Sequence, residues 1–136
     1  MITKEMMNNF INTQFPQSKI TVEHVDGESA TIRHKITEAE LRPGGTVAGP
    51  VMFLVADCAL YVGILGRIGI VPLAVTTNMN INFLRKPSAD RDIIGVCKLI
   101  KVGKTLAIGE VSVYSDGLPD PVAHAVGTYA IPPKKD

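Results

Sequence analysis

From Val51 to Gly66 the chain is apolar on every side of a helix except at Asp57. Such a helix has no face to offer water and must be wrapped by other structure. A bilayer is a poor candidate for the wrapping. The apolar run from Pro50 to Leu65 is shorter than the roughly eighteen residues of a span, and a carboxylate interrupts it. The segment therefore reads as the core helix of a globular fold, and 136 residues is the size of one domain, taken here as 1–136.

The flanking sequence supplies strands to enclose that helix. Ile20 and Val22 alternate with polar neighbours, Asp26-Gly27 interrupts, and Ala30, Ile32 and Ile36 alternate again, which predicts a hairpin. After Pro72 come four strand-like runs, Leu73 to Leu84, Asp92 to Val102, Leu106 to Ser115 and Val122 to Ile131, separated by turn residues. Residues 3 to 14 predict a short amphipathic helix with Thr3 as N-cap. The breaker-rich stretch from Arg42 to Gly49 is a loop, and Pro50 suits the first turn of the helix it feeds. Two strands, one apolar helix and four strands predict an α+β fold in which a curved antiparallel sheet wraps a central helix.

Charge narrows the partners. Fourteen Lys and Arg against 13 acids leave no field to gather nucleic acid or hold an anionic membrane. Cys58 and Cys97 lie in apolar runs, as buried free thiols of a reducing compartment do. The N-terminus, with acids, amides and no continuous apolar stretch, does not read as a signal or transit segment. Cytoplasmic location is the expectation. His24, His34 and His124 lack the convergent spacing of a metal site, so no metal is expected.

Asp57 needs a reason to stand where it does. A desolvated carboxylate costs several kcal/mol unless paired, and positions three and four away hold only Phe53, Leu54, Leu60 and Tyr61. It could be hydrogen-bonded to another element or emerge at an interface; alternatively it could serve as base or nucleophile beside an apolar acyl pocket. Acyl transfer also needs a donor for the carbonyl oxygen, and a helix N-terminus has free N–H groups, here at Gly49. Eight residues along a helix are about 12 Å, so Gly49 and Asp57 of one chain cannot serve one thioester. If both act, two antiparallel helices from two subunits must share each site, which predicts a dimer or a dimer of dimers.

Three stretches together resemble the phenylacetic-acid-degradation-type thioesterases of the hotdog superfamily. They are Ala48-Gly49-Pro50 with Leu54 to Asp57, then Ala74 to Arg85, then Val122 to Tyr129; the likeness spans roughly Leu41 to Ile131. The resemblance implies a hotdog fold and hydrolysis of an acyl-CoA thioester, with coenzyme A as part of the substrate and no further cofactor. It also implies Gly49 N–H as oxyanion donor, Asp57 as nucleophile or base, and Thr76 as the hydroxyl that places water. Coenzyme A phosphates would be met by Arg85, Lys86, Lys101 and Lys104, although lysines in turns are ordinarily just solvated. Asn78, with Asn80 and Asn82, could bind pantetheine or satisfy a neighbouring subunit.

The chain departs from that pattern at Ala48, where a histidine is expected, at Pro50, in place of a second glycine, and at Arg42, in place of an amide. Pro50 removes only its own N–H. Arg42 could neutralise Asp57, bind a substrate carboxylate or point to solvent. These departures keep a second reading open, a non-catalytic acyl-CoA-binding or regulatory module. A hydratase on the same fold would favour a histidine near the helix, and Ala48 argues against it.

Overall fold

The computed structural model describes residues 1–133. Helix α1 spans Lys4–Gln14, and Thr3 caps it by accepting from Met6 N–H at 3.1 Å. Strands β1 (Ile20–Val25) and β2 (Ser29–His34) form the expected hairpin. Ile36 falls beyond β2, because its N–H leaves the ladder and donates to the Asp92 carboxylate at 3.1 Å. A 3-10 turn at Glu38–Glu40 and a two-residue hairpin of β3 (Leu41–Arg42) and β4 (Thr46–Val47) fill what the sequence presents as loop. Helix α2 follows at Gly49–Ile68, with Pro50 in its first turn. The last four strands are β5 (Val75–Phe83), β6 (Ile93–Val102), β7 (Leu106–Ser115) and β8 (Ala123–Ala130).

One six-stranded antiparallel sheet runs in the order β1-β2-β6-β7-β8-β5. All six strands contact α2, which is the hotdog arrangement. The approach is close because glycine stands beneath the helix. A Cβ built on Gly109 or Gly127 would meet a Leu60 methyl at 2.6 or 2.7 Å, and Leu60 is fully buried. By length and composition α2 could cross a membrane, but half of its apolar window is buried inside the fold.

The chain's own sheet leaves part of this helix open. Phe53 and Leu54 remain 39% and 46% exposed, and Asp57, Cys58 and Tyr61 beside them are only partly covered. The order of strands leaves β5 at one edge of the sheet, with no charged residue and no proline in its nine positions. Natural edge strands are usually blunted by such residues.

Candidate active site

Asp57 sits on the open face of α2 and is held by two hydroxyls from adjacent strands. Thr76 Oγ1 and Tyr129 Oη each donate to Asp57 Oδ1 at 2.7 Å. Thr76 on β5 and Tyr129 on β8 are direct cross-strand partners, so one rung of the sheet presents both donors. Plain alternation would put Asn78 on the same side as Thr76. Instead a bulge between them re-aims the chain: Asn78 pairs with Thr128, Asn80 with Val126 and Asn82 with His124, on the face away from the helix.

The Asp57 carboxylate lines a cavity of about 920 Å³. Leu54, Cys58 and Tyr61 share that helix face, and the chain leaving α1 closes the opposite side through Phe15 and Ile20. A train of rings runs from this wall to the carboxylate's partner, with centroids 6.4 Å apart for Phe15 and Tyr61 and 5.9 Å for Tyr61 and Tyr129. Burial, reinforced by the Asp57 charge, pushes the Cys58 thiol up to about 12. It stays protonated and makes a poor nucleophile despite lining the cavity.

Gly49 belongs to a different cleft, of about 480 Å³, lined also by Met52, Phe83, Arg42, Arg85 and Lys86. As the first residue of α2, Gly49 has an N–H without an acceptor inside the helix. Phe83 walls it, with ring carbons 3.6 Å from where a Gly49 Cβ would stand. Arg85 also approaches the exposed Asp120 carboxylate at 3.6 Å. Of the residues picked out as phosphate contacts, Arg85 and Lys86 therefore gather with Arg42 around Gly49. Lys101 and Lys104 lie at the β6–β7 turn and line neither cleft, nor does Asn78.

Sequence reasoning missed Tyr129 and Phe83 as site residues. For Tyr129 a signal existed: it shares the inward alternation of Ala123, Ala125 and Gly127, and a buried phenol requires a partner. Nothing in the sequence marks Phe83. The histidines play other parts: His34 is buried with Nδ1 2.9 Å from the Lys35 carbonyl, His24 pairs with Asp26 at 3.0 Å, and His124 lies 3.9 Å from Glu110. Among the described residues no group of three or more His, Cys, Asp or Glu could hold a metal ion.

An anchored carboxylate lining a largely apolar chamber, and a separate cleft beside the free Gly49 N–H, can together serve acyl transfer. Comparison with known proteins points to thioesterases. The model of the thioesterase superfamily matches residues 44–121. A candidate thioesterase from Silicibacter sp. TM1040 is 39% identical, with a TM-score of 0.90 over 98% of this chain and 94% of that one. Zebra fish thioesterase superfamily member 2 has a TM-score of 0.86 at 20% identity, covering 97% of this chain and all (100%) of that one. The E. coli PaaI protein from the phenylacetic acid degradation operon has a TM-score of 0.75 at 19% identity, covering 93% and 92%. No curated protein matches the sequence.

Proposed function

Since the chain belongs to the thioesterase superfamily and has the hotdog fold, we propose that it hydrolyses an acyl-CoA thioester at sites shared between two subunits. The observation that carries this reading is the Asp57 carboxylate, anchored through one oxygen in the wall of a largely apolar chamber. In the proposed reaction Asp57 takes a proton from water as the hydroxide attacks the thioester carbon. The carbonyl oxygen becomes negative and is held by Gly49 N–H, aided by the dipole of α2. Collapse breaks the C–S bond, and the departing thiolate takes the proton from Asp57. Water is the only co-substrate, so the step needs no metal or organic cofactor. Direct attack by Asp57, with an anhydride then opened by water, uses the same groups.

Sharing of the site between subunits is supported by the layout of α2 and β5. Thr76 lies beside Asp57 and Phe83 beside Gly49, so β5 runs antiparallel to α2. Two β5 edges paired antiparallel about a dyad between Met79 and Asn80 would set Thr76 of one chain against Phe83 of the other. The Asp57 cavity of each chain would then meet the partner's Gly49 cleft, and the open faces of α2 around Phe53 and Leu54 would be covered. Covering what remains exposed of these two side chains, less than half of each, contributes about 0.6 to 1.4 kcal/mol each. Arg42, Arg85 and Lys86 around Gly49 suit the phosphates of coenzyme A. The two cysteines are free, and we place the protein in the cytoplasm.

Thiol release from a panel of acyl-CoAs, short aliphatic to aromatic, tests the reading. Wild type should cleave a subset, and Asp57→Asn should lose about a thousandfold or more in kcat while still binding the esters. An unchanged rate in Asp57→Asn would remove Asp57 from the mechanism. Binding without cleavage by wild type would favour the non-catalytic module, the reading that Ala48, Pro50 and Arg42 keep open.

A further inference from the structure

We infer that Tyr129 is a positioning residue: with Thr76 it fastens Oδ1 of Asp57 and thereby assigns the reaction to Oδ2. This inference rests on the thioesterase reading and goes beyond it by naming which carboxylate oxygen works and what aims it.

An aspartate side chain turns about two bonds, and an acid that must meet water or a thioester carbon gains from having that freedom removed beforehand. Here two strands converge on one oxygen. Thr76 Oγ1 and Tyr129 Oη each stand 2.7 Å from Oδ1, and Tyr129 Oη is also 3.3 Å from the Asp57 backbone carbonyl. The phenol therefore spans the side chain and the backbone of the same helical residue. No hydrogen bond to Oδ2 is made among the described residues, while the carboxylate faces the large cavity. Two donors on Oδ1 leave the in-plane lone pairs of Oδ2 as those free for an incoming proton or carbon.

Tyr129 is suited to the task. It is 4% exposed, its ring packs against Tyr61, and its backbone is held from both sides, with Thr76 of β5 and Ala107 of β7 as its cross-strand partners. A ring so fixed delivers its hydroxyl with little loss of entropy on each turnover. Burial pushes the phenol well above its ordinary value of 10.0, so it remains a donor throughout the working range of pH. Thr76, which the family resemblance casts as the group that places water, spends its own proton on Asp57 and can meet water only as an acceptor.

Tyr129→Phe removes the hydroxyl and retains the ring. In steady-state assays with an ester that wild type cleaves, kcat should fall about 10- to 100-fold with KM within about twofold, and the melting temperature should change little. Thr76→Val should act the same way, and Thr76→Ser should recover most of the rate. A wild-type kcat in Tyr129→Phe, or a loss confined to KM, would overturn the inference. A readout independent of turnover is the orientation of the Asp57 carboxylate in crystal structures of Tyr129→Phe and of Thr76→Val with Tyr129→Phe. A carboxylate released from its present rotamer in the double variant supports the clamp, and one that stays put overturns it. Should wild type cleave no ester, the thioesterase reading falls, and the crystallographic comparison still decides whether Tyr129 orients Asp57.

Discussion

Gly49 and Asp57 are asked for different things, a backbone N–H and a carboxylate, and substitutions can separate side chain from backbone. A Cβ at Gly49 would touch the Phe83 ring at 3.6 Å, an ordinary contact, and the residue does not have a positive φ. Gly49→Ala should therefore fold and keep kcat within a few-fold, whereas Gly49→Pro, which deletes the donor, should lose about 100- to 1000-fold in thiol-release assays. If both variants behave alike, the N–H is not the oxyanion donor. Asp57 was legible in the sequence because a lone acid in an apolar helix demands a partner or a purpose. The bonds that Thr76 and Tyr129 make to it were not. Tyr129 is marked only as a buried phenol in need of some partner, with no sign of which, and Thr76 and Asn78 read as neighbours on one face until the bulge at Thr77 parts them.

At the scale of elements, the entry to α2 is tied to the rest of the fold by Glu40. Its carbonyl accepts from Ala48 N–H at 3.0 Å, just before the helix, while its carboxylate accepts from Thr37 N–H and from Lys19 Nζ, each at 2.6 Å. Burial alone would raise this acid, but the bonds from Lys19 and Thr37 outweigh it and hold Glu40 at about 2 against an ordinary 4.5. The depressed value fixes the sign: the contribution is whole above the unfolded value of about 4.5 and drains away as pH falls toward 2. Glu40→Gln should be about 1 to 2 kcal/mol less stable than wild type in urea at pH 7, with the gap closing near pH 2. A gap independent of pH would mean the charge is not what counts. Element identities were mostly legible, since α1, α2 and β5 to β8 lie within a few residues of the runs that periodicity marks. The order of strands was not: β5 precedes β6 in sequence yet lies at the far edge beside β8, a crossover that local pattern cannot encode.

For the whole molecule, α2 is enclosed by its own sheet on one side and left open around Phe53 and Leu54. Its remaining apolar face and the uncharged edge of β5 are adjacent, because Asp57 on one bonds Thr76 on the other. Composition alone told that the helix needs a covering and not how much of it this chain supplies.

The placement of Gly49 and Asp57 in separate clefts has a genetic consequence. In a pair of subunits each site would borrow its donor from one chain and its acid from the other. Asp57→Asn and Gly49→Pro chains, each inert alone, would on mixing form hybrids in which one site collects both lesions and its twin collects none. Random exchange makes half the pairs hybrids, so about a quarter of wild-type sites should revive after the two inactive proteins are unfolded and refolded together. Two alleles that fail singly would then complement in a cell that carries both, and a mixture that stays silent would mean that each chain builds its site alone.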